Sequence, residues 1–304
     1  MAFAQNSRSR LAYGVQADFD TVATTFTDLP FSTHSLDLTK ERVQGTDIKA
    51  DRMRRVDRHG NRQTAGDIVA DLRDGDFDDF LEAAMLGSFT SDVLKTGITP
   101  KYFSLEDYAA DIDQARLYTG QTVSSMAISI APNQMITTTF TMVGKDMVQS
   151  AVEKTVTPSS GAAPFDSYSG TLQIGNTGGS LSNNGRVSAL DFTVTNNFAP
   201  TFVIGSDVTP QLSYGMSTIE GTLTTFYEDE TMLNRFLNET ETALSISVDD
   251  PTGLNAYTFF FPRLKINSGT VGVSGEEGSR MVEASFVALY DDTEETDLSI
   301  TRPT

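Results

Sequence analysis

AGDIVADLRDGDFDDFLEAAM, residues Ala65 to Met85, runs from a strand-like alternation through an acidic turn into an amphipathic helix. About 154 residues later, Ile219 to Thr240 (IEGTLTTFYEDETMLNRFLNET) repeats that order. In each copy a strand ends in an aromatic residue or Leu, acids follow, and a short helix carries Phe-Leu on its buried face. The pairs are Phe80-Leu81 and Phe236-Leu237. Phe77, Phe80, Leu81 and Ala84 fall at helical spacing. Asp74 or Asp76 is placed to cap that helix, with Asp78, Asp79 and Glu82 near the positive end of its dipole.

Working outward, the echoes keep their order. Ser35–Thr39 (SLDLT) returns as Ala189–Thr193 (ALDFT), and Ala115-Arg116-Leu117 as Pro262-Arg263-Leu264. Thr138–Thr141 (TTFT) returns as Ala284–Val287 (ASFV). A long ordered repeat means one structural unit used twice. The units are expected at 35–149 and 188–292. An N-terminal arm (1–34), a Gly/Ser/Asn-rich linker (150–187) and a C-terminal tail (293–304) surround them. Val, Thr, Ser and Gly outweigh helix formers, and strands alternate with period two. The fold class expected is mainly β, with one short helix per unit.

Composition excludes several function classes. The chain has no Cys, so a disulfide framework, a thiolate zinc site and a Cys nucleophile are absent. No run approaches the roughly 20 apolar residues of a membrane span, and residues 1–14 lack a signal-peptide core. Net charge is −19, denser in the second half, which repels nucleic acid. His34 and His59 are the only histidines, and neither has the context of a catalytic triad. Asp74-Gly75-Asp76-Phe77-Asp78-Asp79 opens like an EF-hand loop, but Asp79 stands where Gly is needed and Met85 where Glu is needed. No cofactor, metal site or enzymatic activity is expected.

The strongest local charge signal is Arg52, Arg54, Arg55, Arg58 and Arg62, around a turn expected at His59-Gly60-Asn61. Two readings fit: a solvated hairpin, or a projection that docks on an acidic surface of an identical neighbour. Arg suits interface carboxylates through its planar fork.

The sequence resembles the tail tube (major tail) proteins of long-tailed, non-contractile bacteriophages, in the subfamily that carries the tube fold twice. The resemblance rests on residues 29–44, 56–87, 188–197, 203–237, 261–266 and 284–291. It implies two β-sandwich units whose inner sheets join neighbours in a shared barrel. Three chains would then complete a pseudo-sixfold ring, and rings would stack around the tape-measure protein. Tail terminator and distal tail proteins would sit at the tube ends, and DNA would pass without specific binding. The implied location is the virion tail, assembled in the host cytoplasm. An acidic lumen would have few phosphate contacts to break. By alternation Asp67, Asp71 and Glu283 are expected to line it. Residues 1–30, 45–65 and 150–187 are expected to order only on docking. Two other classes compete: a receptor- or carbohydrate-binding β-sandwich of the tail tip, and a tail-associated hydrolase. Lack of Trp counts against the former, and lack of a recognisable acid pair or His constellation against the latter.

Overall fold

The computed structural model describes residues 3–184, 186–250, 256–273 and 278–302. The main elements of the first half are β1 (Ser9–Gln16), β2 (Asp37–Gln44), β3 (Asp57–Asp71) and α1 (Asp78–Met85). They are followed by β4 (Tyr102–Ala109), β5 (Gln114–Ile130), β6 (Thr137–Gly144) and β7 (Asp146–Ser150). The second half has β8 (Thr171–Asn176), β9 (Val187–Thr195), β10 (Ala199–Thr201), β11 (Gln211–Ser213) and β12 (Thr218–Phe226). Then come α2 (Thr231–Leu237), β13 (Thr242–Asp249), β14 (Ala256–Val271), β15 (Met281–Ala288) and β16 (Ser299–Thr301).

Each half is a two-layer sandwich organised on one long strand that belongs to both layers. In the first, the early part of β5 pairs with β4 and β7, and its later part pairs with β6. β6 pairs with β3, and β3 with β2. In the second, the early part of β14 pairs with β13 and its later part with β15. β15 pairs with β12, and β12 with β9. A register shift falls where each long strand changes layer, between Val123 and Ser125 and between Ile266 and Ser268. Such shifts bend a strand, which lets one segment serve two layers.

Period-two alternation fills the space between layers. Ile68 and Ala70 of β3 with Leu72 just after it, Phe140 and Met142 of β6, and Leu190, Phe192 and Val194 of β9 are buried. α1 closes the first core: the Phe80 ring stacks on Phe103 at 4.8 Å and meets Tyr13 edge-on at 5.1 Å. Phe192, Phe261 and Phe286 build the second core, with edge-to-face contacts at 5.2 and 5.8 Å.

Several sequence expectations need revision. Residues 1–34 include β1, which pairs along its whole length with β4 and buries Leu11 and Ala12 in the chain's own sandwich. Alternation in SRLAYGVQ is broken by four consecutive buried residues, which hides the strand from a period-two reading. His59-Gly60-Asn61 is not a turn but lies within β3; the β2–β3 connection is residues 45–56. Residues 150–187 contribute β8, which pairs with β13 on one side and with Ser182–Asn183 on the other, and bury Phe165. Segments 1–30, 45–65 and 150–187 thus all contain strand within the chain's own sheets. Residues 293–304 include β16, which pairs with β14 and with Val93–Lys95 of the first half. Leu298 and Ile300 are fully buried there. Finally, the α1 cap position is Phe77, with no side-chain cap; Asp76 instead accepts the Ser160 N–H at 2.7 Å.

The two helices differ. Phe80 and Leu81 of α1 are fully buried. In α2 no side chain is buried, and Leu237 is 64% exposed, against the expected buried Phe-Leu face. α2 lies over Gly269 of β14, with Leu233 and Phe236 nearest. α1 is flanked in addition by the second half: the Asn196 side chain, just after β9, donates to Ala84 O at 2.8 Å. No element stands in that position beside α2 among the described residues.

Candidate lumen face and assembly rims

The two halves share one sheet. β9 pairs antiparallel with β5, Leu190 to Thr195 against Ile130 to Ser125. The result is a continuous antiparallel run β2–β3–β6–β5–β9–β12–β15–β14. Its inward side chains form the core just described, so alternation sends the others to the opposite face. That face is a carpet of short polar side chains. Thr137, Thr139 and Thr141 come from β6, Ser125 and Ser129 from β5, Thr193 and Thr195 from β9, and Thr222 and Thr224 from β12. Its middle is a concavity of about 530 Å³.

Asp67, Asp71 and Glu283 all stand on this outer face of the sheet. Asp67 is exposed and accepts the Thr141 hydroxyl at 2.7 Å. Asp71 is half-buried opposite Thr137. Glu283 is exposed between Thr224 and Thr270. Two further acids were missed: Asp191, which accepts the Ser129 hydroxyl at 2.5 Å, and Glu220, paired in register with Val287. Both line the concavity. Away from the hairpins, alternation along β14 puts Arg263 and Lys265 on this side, and Glu241 and Glu239 hold them at 2.5 and 2.6 Å. Coulombic repulsion of a polyanion is therefore not offset by a free cation on this surface.

The β2–β3 hairpin projects past the paired part of the sheet. Residues 40–62 carry eight basic and four acidic side chains in a chain of net charge −19. Their partners divide them. Arg55 pairs with Asp51, and Arg42 with Asp57, inside the hairpin. Arg62 is turned back into the molecule, 3.2 Å from both Asp146 and Asp207. Arg52, Arg54 and Arg58 have no ion-pair partner among the described residues. The β10–β11 hairpin, between β9 and β12, leans on the first half through the Arg62 N–H to Asp207 O bond at 2.8 Å and the Tyr214 hydroxyl to Ile98 O at 3.1 Å.

A second joint lies at α1. The Tyr257 hydroxyl of β14 donates to Asp78, and Arg302 binds the same carboxylate at 2.5 Å and Asp92 at 2.9 Å. Burial first, then the neighbouring Asp78 charge, pushes the Tyr257 phenol well above its ordinary range. The acids of the EF-hand-like stretch are thus engaged in packing contacts. Among the described residues no group of three His, Cys, Asp or Glu could hold a metal ion. No helix among them is long and apolar enough to cross a membrane.

A mainly β sandwich, with one long mixed-parentage sheet, a polar acidic face and side chains committed to packing, defines a structural protein. The chain belongs to the phage tail tube protein family, whose model it matches over residues 6–288. It is accordingly a structural component of a phage tail, in a family of non-enzymatic tube subunits. No curated protein gives a match to the chain.

Proposed function

We propose that the chain is the tail tube subunit of a long-tailed, non-contractile phage, arisen by tandem duplication of one β-sandwich unit. Three chains close a pseudo-sixfold ring, and rings stack into a hollow tube that encloses the tape-measure protein and conducts DNA during ejection. Units at 35–149 and 188–292 supply the wall, tail terminator and distal tail proteins meet its ends, and assembly takes place in the host cytoplasm.

The observation that carries this reading is the joint inside the chain. β9 of the second half pairs with β5 of the first, and the corresponding strands are left without partners at the two ends: β2 on one side, the later part of β14 on the other. An edge strand with free N–H and C=O groups is a template for another chain. If β2 of one copy pairs with β14 of the next as β9 pairs with β5, the contact is heterologous, and rotation about one axis closes it into a ring. The acidic face then lines the lumen through Asp67, Asp71, Asp191, Glu220 and Glu283. The Arg-rich hairpin stands on the ring's rim, with Arg52, Arg54 and Arg58 free to meet an adjacent ring and Arg55 and Arg62 bracing it.

Sedimentation and negative-stain microscopy of the purified protein test this. Three-chain rings and tubes are expected; discrete monomers at high concentration would refute it.

A further inference from the structure

Opposite ends of the sheet carry complementary apolar features. At the hairpin end, Ile48 is 98% exposed at the tip of the 45–56 loop, and Met53 beside it is also exposed. At the other end, the close of β5, the start of β9 and the close of β12 meet β8 and β13 around a groove of about 600 Å³. Ile130, Leu172, Val187, Leu190, Phe226 and Ile246 give it an apolar floor, and Tyr168, 81% exposed, stands at its mouth. β3 spans the distance between these ends, so they lie roughly 45 Å apart at about 3.3 Å per residue. No chain can place its own tip in its own groove.

We propose that the groove is the socket for the 45–56 hairpin tip of a second copy stacked end to end, with Ile48 as the plug. This rests on the tube reading and adds the partner surface that the hairpin engages. Two observations commit the socket to this occupant. First, charges match: the 45–56 tip carries Lys49, Arg52, Arg54 and Arg55 against Asp47 and Asp51, whereas three acids, Glu228 (paired with Arg186), Asp229 and Glu230, stand one residue beyond Phe226. Second, an isoleucine left in water on a projecting loop loses its burial free energy in the free chain, and the apolar groove restores it. The second unit keeps a similar tip, Ile204, fully exposed, but its hairpin is tied down on β3 through Asp207 and carries no free Arg. The contact joins unlike surfaces, so its repetition produces a filament rather than a closed dimer.

The cysteine-free chain allows a direct test. In an Ile48→Cys/Tyr168→Cys double variant, a short bismaleimide applied to assembled tubes should give a ladder of covalent multiples. Neither single variant nor isolated rings of the double variant should give one. Ile48→Asp should keep rings and lose tubes. Tubes of the double variant without a ladder, a ladder from Ile204→Cys/Tyr168→Cys instead, or normal tubes from Ile48→Asp would each overturn the socket while leaving the tube reading intact. Wild-type protein that forms neither rings nor tubes would sink both.

Discussion

Leu237→Asp separates folding from ring closure. Leu81 and Leu237 close the Phe-Leu pairs of the two helices, yet Leu81 is fully buried and Leu237 is 64% exposed. α1 has the second unit beside it; α2 has the place where the next chain's first unit would stand. In the free chain, Asp at this exposed site should change stability by less than about 0.5 kcal/mol, the usual range for surface substitutions. In a ring, covering the exposed two thirds of the leucine is worth about 1–2 kcal/mol, taking about 1.5–3 kcal/mol for a full leucine. A carboxylate enclosed there without a partner adds about 1–3 kcal/mol of desolvation cost. The summed loss, about 2–5 kcal/mol per joint, corresponds to about 30- to several-thousand-fold in each association constant. Three joints act together in each ring. The urea midpoint of the monomer should therefore stay put, while sedimentation shows rings only at concentrations well over tenfold higher. Rings or tubes from Leu237→Asp at wild-type concentrations would refute the idea that α2 waits for a neighbouring chain.

Other perturbations reach the lumen, the rim and the core. Lysine at Asp67, Asp71, Asp191, Glu220 and Glu283 should make tubes retain DNA, with log K falling by about 0.9 per phosphate neutralised for each decade of salt; variant tubes that ignore DNA would place these residues elsewhere. Glu at Arg54, Arg55 and Arg58 should leave a folded protein that no longer polymerises, and normal tubes would exclude the hairpin from stacking. Burial pushes the Asp107 carboxyl up, but hydrogen bonds from His34 and Arg116 outweigh it and hold the group below the usual carboxylate range. A depressed folded pKa stabilises the fold fully above the unfolded value of about 3.9, and that share is lost as pH falls through the folded value. Asp107→Asn should therefore lower the urea midpoint at pH 7 and leave it unchanged near about pH 2; equal losses at both would mean that packing, not charge, is at work. Phe80→Ala removes a ring packed on Tyr13, Phe103 and Phe140, and thermal unfolding should report a loss of about 3–5 kcal/mol.

Why the sequence led to three acids of the polar sheet face and not five is a matter of one residue in register. Matching Ala65 to Ile219 puts Asp67 against Gly221 and leaves Glu220 against Gly66. The sheet pairs them differently: Phe140 faces Ile68, and Phe286 faces Gly221, an interval of 153 rather than 154. A slip of one residue in a strand sends every side chain to the other face. With the pairing as it stands, Asp67 corresponds to Glu220, and both turn away from the core. Gly221 marks the position, because a Cβ there would lie 2.4 Å from the Phe286 ring; the second unit fills with its phenylalanine the space that Ile68 fills in the first. Elements read from long-period features survived such slips: both helices and the sandwich strands follow from order and alternation, which tolerate an offset of one. Features that depend on which residues meet across the fold did not. β1 carries four buried residues in a row because the main core takes Leu11 and Tyr13 on one face while Ala23 and Phe26 cover Ala12 on the other, and β16 is held by strands from both halves. Nothing local in SRLAYGVQ or LSIT announces those partners. The same reasoning sets the hairpin turn at 45–56 rather than Gly60-Asn61: a Gly-Asn pair permits a turn, but the pairing of Arg42 with His59 and Val43 with Arg58 carries the ladder past it. The extra length carries Ile48 and the unpaired arginines out past the body of their own chain.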